Sequence, residues 1–581
     1  MERTKFITSS GALAASTLLS TMKPRSSRAS SFVDGLLPTQ NFTRRAKPGG
    51  SPIHTLSDDL TPYTGTWGDA QIYHLLRRTM FGVREMQFTQ AQSLGSMSAV
   101  VTQLLACQDT SKVPLPTPFA SWLNDYPDYT DAKTTNEQIN IATLENYKLV
   151  EIENWWFDLM MQENLSIRQK MTLMWTNHFV TGSQTVGIAG YVYQYLMTCM
   201  ANALGNFKDF ASAISIDPAM LVYLNGNENF IFGGEPFVNE NYARELMELF
   251  TLGLFDPKSS PTNPVPNYTE SDVQNSARAL TGWQPTTSAP FIGQFNPSLH
   301  DTGTKTFLGQ TGNWALSDII NIIFEQGTPA GYTSAYWACQ KIYKEFVYYV
   351  PNASVIDAMA TLMLNPPSPY NPFDVAPVME ALLSSEHFYD ASVIGAQIKS
   401  PAQYMGTLVR EFALKYPPFN AAVPPILSTD ATGLNTYGDT NPTLTLLTEG
   451  ILSTQGQELL NPPNVAGWPG GENWLNAGSF SNRQEYSAII TSNALDNTTY
   501  SGVTYELAFS ASEYATQIPN QASLDEGQLF LELENLSLAF TLGNTESTSL
   551  APYASSTSDL IDNAVPAFAL SLPQLPEFQL F

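Results

Sequence analysis

Residues 239–253 read NENYARELMELFTLG, and the periodicity of this stretch decides how the rest of the chain is read. At 100° per residue, Tyr242, Ala243, Leu246, Met247, Leu249 and Phe250 share one arc of a helix, while Glu240, Asn241, Arg244, Glu245 and Glu248 share the other. The stretch predicts an amphipathic helix. Glu240, Arg244 and Glu248 form an i, i+4 ladder that stabilises such a helix by only about 0.2–0.5 kcal/mol per pair in water. Two readings of the polar arc stay open. It is a solvated face, or it faces a cleft where Glu245 and Glu248, on neighbouring turns, act as an acid/base pair or as oxygen ligands.

The same period recurs outward from this helix. It marks helices over residues 67–82, 96–106 and 136–161, the last with Trp155 and Trp156 as core, and again over 191–210. Thr269 with Asp272 three residues on is a capping-box variant that starts a helix running to Leu280. Shorter helices follow between residues 315 and 385, another from Lys399, and one around 444–458. Between them lie Pro-, Gly- and Asn-rich loops. The expected fold is mainly α, a large multi-helix domain with long ordered loops and little or no β-sheet.

Composition bounds the function. The chain has 581 residues, 27 basic against 53 acidic, for a net charge of −26, which disfavours nucleic acid and anionic membranes as partners. Its 43% hydrophobic content fits a globular protein, and beyond the N-terminus no stretch reaches the length of a membrane span. Cys107, Cys199 and Cys339 are scattered and read as small buried hydrophobes rather than a disulfide or thiolate-metal framework. Residues 1–30 run from Arg3 and Lys5 through the mildly apolar FITSSGALAASTLLSTM to KPRSSRASS, the order of an export signal. It resembles a twin-arginine signal with Thr4 in place of the second Arg, and it implies an extracytoplasmic location. Residues 31–65 read as a linker, 66–490 as the helical domain, and 491–581 as a C-terminal appendage with a mobile end.

Three further stretches carry candidate chemistry. In residues 167–182, IRQKMTLMWTNHFVTG, His178 falls in the middle of the arc of Met171, Met174, Trp175 and Phe179. A histidine there needs a buried partner; it is a satisfied core residue, or a ligand or acid/base group. Residues 295–309, FNPSLHDTGTKTFLG, put His300, Asp301 and Lys305 on a loop. Residues 459–476, LLNPPNVAGWPGGENWLN, hold Trp468 and Trp474 either as a sugar platform or as the packing of a rigid loop. The chain shows no GxSxG, no Cys–His pair, no phosphate loop and no dinucleotide fingerprint.

Taken in order, HLLRRTMFG (74–82), KMTLMWTNHF (170–179), NENYARELMELFTLG, YTESDVQNSARALTGW (268–283), HDTGTKTFLG (300–309), IKSPAQYM (398–405) and GQELLNPPNVAGWPGGENWLN (456–476) resemble the bacterial family called domain of unknown function 1800. The resemblance covers about residues 66–490. It implies export, and a neighbour from a second family, domain of unknown function 1501, that is similar to sulfatases. Relatives often carry a His where Trp175 or Thr176 stands, and another where Phe250 stands, so a divalent-metal site implied by the family is thinner here. The candidates that remain for catalysis or metal are His178, Glu245, Glu248, His300 and Asp301, with Arg244 and Lys305 for an anionic group and Trp468 and Trp474 for substrate. Two functions stand side by side. One is a hydrolase-like or metal-assisted enzyme acting on an extracellular polymer such as polysaccharide. The other is a non-catalytic extracytoplasmic scaffold or a binding partner of the sulfatase-like protein.

Overall fold

The computed structural model describes residues 58–107, 127, 134–419, 426–439, 441–500, 503–518, 524, 526–539 and 565–581. The expected export signal and the linker up to residue 57 lie outside them. The fold is mainly α, as expected, and among the described residues the strands form five two-stranded antiparallel sheets. No helix among the described residues is long and apolar enough to cross a membrane.

The longest helix, Thr135–Gln162, starts at a capping box in which the Thr134 hydroxyl accepts from the Glu137 N–H and the Glu137 carboxylate accepts from the Thr134 N–H. Its C-terminal half buries Trp155, Trp156, Phe157, Met160 and Met161, and the Trp156 indole donates to Gln169 Oε1 at 3.0 Å. The helix Arg168–Thr176 is buried along its whole length. Two of the quoted motifs meet where HLLRRTMFG turns at Gly82, with φ 109°, against the helix Pro401–Glu411. There a Cβ on Gly406 would lie 2.3 Å from the Phe81 carbonyl oxygen, so the two backbones touch only because neither glycine has a side chain.

The structure departs from the helical wheel in three places, each for a local reason. The single helix expected over residues 191–210 is two, Ala189–Ala201 and Phe207–Ser215. Asn206 interrupts it, because its side chain caps the second helix by accepting from Lys208 N and Asp209 N while donating to Asp374 Oδ1 and Pro372 O. The loop leading into residues 239–253 folds into a hairpin, Phe230–Phe232 against Glu235–Phe237, across Gly233 and Gly234 at positive φ. The loop beyond His300 likewise pairs Lys305–Phe307 with Gln310–Gly312 across Leu308 and Gly309.

Residues 565–581, assigned by composition to a mobile end, pack into the core. Phe578 and Phe581 are buried, Lys399 N donates to Gln579 O at 2.8 Å, and Phe581 N donates to Gln397 O at 2.9 Å. Arg483 Nη1 donates to Gln579 Oε1, and the Arg78 guanidinium and the Lys170 ammonium lie 4.8 and 5.0 Å from the Phe581 ring centre. The apolar side chains of PEFQLF, which look unsupported in sequence, are covered by motif segments roughly a hundred or more residues away.

Candidate functional site

Residues 239–253 form an α-helix only over Asn241–Glu245; Leu246–Thr251 widens into a π-helix. The wider turn frees carbonyls from the i−4 ladder, and side chains satisfy them, two from other elements and one from the turn itself. The Trp337 indole donates to Leu249 O at 2.7 Å, the His178 ring bonds Phe250 O at 2.9 Å, and the Thr251 hydroxyl donates to Leu246 O. His178 is 3% exposed among Trp175, Phe179, Phe207 and Phe250. Burial, reinforced by the nearby Lys341 charge and only partly opposed by the Phe250 carbonyl, pushes its imidazole down to about 3. It is therefore neutral, with Nε2 carrying the proton it donates to Phe250, and Nδ1 has no hydrogen-bond partner among the described residues.

On the polar arc, Arg244 spans Glu270, bonding both its oxygens at 2.8 and 3.0 Å, and reaches Glu240 at 3.3 Å. These three side chains are at least a third exposed, so the network is a solvent-screened surface brace that contributes little stability. Glu245 and Glu248 lie half-buried beside it. Glu248 accepts from the Tyr268 hydroxyl at 3.1 Å, and the Glu245 carboxyl is raised by burial and then by the Glu248 charge, against the pull of Arg244.

Asp301, His300 and Lys305 lock their own loop. Asp301 takes a two-pronged bond from Arg278 at 2.7 and 3.2 Å and a third from Gly303 N; His300 Nδ1 faces the Thr281 hydroxyl and carbonyl; buried Lys305 donates to the Asp301 and Gly303 carbonyls. Burial alone would raise the Asp301 carboxyl, but these bonds and the Arg278 and Lys305 charges hold it below the usual carboxylate range. Arg244 and Lys305 thus already hold protein acceptors. Among the described residues no three His, Cys, Asp or Glu side chains converge on a point where they would hold a metal ion, so the donors inferred from sequence do not fit a divalent metal.

The long Pro-, Gly- and Trp-rich motif does build a site. Asn177, next to His178, grips the Trp468 backbone: its Oδ1 accepts from Trp468 N at 2.7 Å and its Nδ2 donates to Trp468 O at 3.3 Å. Ser183 N donates to Leu460 O at 2.9 Å, tying the small-residue loop to the same segment. Between them lies a cleft of about 360 Å³ lined by Tyr223, Trp468, Glu458, Asn461, Pro462 and Pro463, with Gly182 and Thr185 opposite. Trp474 does not line it and packs against the core. None of His178, Glu245, Glu248, His300 and Asp301 lines the cleft either, but Glu245 is close enough to Tyr223 for its charge to raise the phenol further, after burial.

Among the described residues Glu458 is the one carboxyl that lines the cleft. Its Oε1 accepts from Asn461 Nδ2 at 2.7 Å and from Gln184 Nε2 at 2.9 Å, while Oε2 has no such bond among the described residues. Burial, then the Glu449 charge, outweigh those two amides and push Glu458 up to about 7. Glu449 sits on a second π-helix, Leu446–Leu452, beside the buried Glu153, whose carboxyl is raised well above the usual range by burial and then by the Glu449 charge. The register is pinned by Asn154, whose Nδ2 donates to Thr445 Oγ1 and whose Oδ1 accepts from Thr448 Oγ1, both at 2.8 Å. Sequence reading passed over Glu458, Asn461 and Asn177. The legible signal was a lone carboxylate at the end of a helix, immediately before a Pro/Gly/Trp loop.

Tyr223 reaches the cleft from the helix Pro218–Tyr223, whose N-cap is the buried Asp217. Burial pushes Asp217 up to about 7, despite bonds from Ala219 N at 3.0 Å and the Thr198 hydroxyl at 3.2 Å. A carboxyl raised by folding contributes stability that is complete below its unfolded pKa, near 4, and is lost as pH rises through its folded value. Wild type is therefore expected to lose stability between about pH 4 and pH 8, and Asp217→Asn to lose distinctly less. Urea denaturation across that range measures it; parallel curves for the two proteins would rule the assignment out.

Fold and cleft together define a mainly α protein with a carboxyl-bearing, aromatic-walled cleft. Residues 74–580 match the family model described as "Protein of unknown function (DUF1800)", and the chain belongs to that family. No curated protein and no solved structure matches it.

Proposed function

We propose that the chain is an extracytoplasmic hydrolase that cleaves a neutral polymer such as a polysaccharide by acid/base chemistry in the Glu458 cleft. The observation that carries this reading is Glu458 itself: one oxygen tied, the other free, and a pKa of about 7 that lets the carboxyl give or take a proton at neutral pH. Half-buried Tyr223 offers an aromatic face to a sugar ring, while Trp468, 4% exposed, packs in the core beneath the cleft. Among the described residues no cation lines the cleft, and the chain carries a net charge of −26, which favours an uncharged substrate. In the reaction, Oε2–H protonates the leaving glycosidic oxygen as its C–O bond breaks. A water molecule attacks the sugar carbon and gives up its proton to solvent, from which the ionised Glu458 is reprotonated. The charged, apolar, then small-residue order of residues 1–30 supports the location.

The test is release of reducing ends from a panel of neutral polysaccharides. Glu458→Gln is expected to lower the rate about a hundredfold with the fold intact. An inactive wild type, or a fully active variant, overturns the reading. A second reading, a non-catalytic scaffold that binds a sulfatase-like protein of the domain of unknown function 1501 family, is favoured by one observation. Phe232 and Phe237, 68% and 53% exposed, stand on the hairpin beside residues 239–253.

A further inference from the structure

Glu458 is held from two separately folded pieces of chain. Gln184 comes from the short helix Ser183–Val186, and Asn461 from the loop three residues beyond Glu458. Both amides donate to the same oxygen. Two donors on Oε1 fix the carboxyl plane and make Oε1 the better place for negative charge, so the proton of the neutral acid sits on Oε2. Gly182 keeps the arrangement open, because a Cβ there would lie 3.0 Å from the Tyr223 ring and 3.4 Å from Asn461 Oδ1.

We propose that Gln184 and Asn461 are positioning residues for Glu458: by fixing Oε1 from both sides they leave Oε2 as the one atom through which the cleft exchanges a proton. This rests on the acid/base reading of the cleft. The charged group that faces Glu458 from the helix side is Glu449, backed by Glu153, and it acts in the opposite sense to the two amides. The amides favour the ionised carboxyl, whereas the Glu449 charge favours the neutral one.

The experiment is carbon-13 NMR of the full protein with carboxyl-labelled glutamate, titrated with pH, the Glu458 resonance being assigned by its loss in Glu458→Gln. Asn461→Ala and Gln184→Ala are each expected to move the Glu458 midpoint upward by about half a pH unit or more, and Glu449→Gln to move it downward. The corresponding limb of the pH–rate profile moves with it. Midpoints unchanged in both amide variants overturn the inference. Gln184 is exposed, so Gln184→Ala keeps the test alive if Asn461→Ala fails to fold. If the midpoints move as stated but no neutral polysaccharide is cleaved, the positioning stands and the hydrolase reading falls. If cleavage is found and the midpoints do not move, the reverse holds.

Discussion

Gly467→Ala is expected to cost about 4 kcal/mol of stability and to collapse one wall of the cleft. Gly467 has φ 83°, a region that costs a residue with a Cβ about 1–2 kcal/mol. The added Cβ would lie 2.2 Å from Asn177 Oδ1 and 2.7 Å from Asn177 O, and relieving such overpacking costs about 1–3 kcal/mol more. The atom it strikes is the one that accepts from Trp468 N, so the clamp opens, at about 1 kcal/mol per hydrogen bond lost. Urea unfolding measures the sum. The double variant with Asn177→Ala separates its parts: removing the clashing side chain should recover part of the loss, giving strong non-additivity. A loss below about 1 kcal/mol in the single variant would mean that the loop accommodates a methyl group and that the Asn177 grip is not what shapes the cleft.

Arg410→Met should be at least as damaging, for a different reason. The Arg410 guanidinium is fully buried and donates to the carbonyls of Gly82, Met160, Met161 and Glu163 at 2.8–3.2 Å. Three of these close the C-terminus of the helix Thr135–Gln162, where a cation also complements the helix dipole. The fourth is the turn that ends HLLRRTMFG. Met relieves the desolvation of a buried charge, which can offset the loss when both partners of an ion pair are replaced. Here the partners are main-chain carbonyls that stay behind, each costing about 1–3 kcal/mol unpaired, so the loss wins and about 4 kcal/mol or more is expected. Equilibrium denaturation decides; a variant within about 1 kcal/mol of wild type would show that water reaches these carbonyls.

Both substitutions fall in or beside motifs that the sequence marks as unusual without saying why. IKSPAQYM and HLLRRTMFG read as helix ends, and the helical period does put Leu75 and Leu76 on one face, which is buried. What period does not reveal is that Gly82 meets Gly406, or that Arg410, on what looks like an ordinary helix, caps a helix some 250 positions earlier. His178 shows the same limit. Its place on an apolar arc predicts that it needs a buried partner, and the partner is a carbonyl freed by a π-turn in residues 239–253, which no 3.6-residue wheel anticipates.

The sequence by itself determined the helical class, the capping box at Thr269, the burial of Trp155 and Trp156, and the family, because these follow from periodicity and short-range pairing that are written locally. Only the tertiary structure decided the site. Residues 239–253, with the most charge of any motif, use Arg244 as a surface brace and send their backbone carbonyls to His178 and Trp337. The cleft forms instead where Asn177, Ser183 and Tyr223 meet the segment from Glu458 to Trp468, hundreds of residues away. Glu458 becomes titratable near neutrality because tertiary packing buries it and because the fold holds the charge of Glu449, from the preceding helix, close to it. Desolvation and the approach of a like charge are properties of the folded surroundings, and no spacing in the chain encodes them by itself.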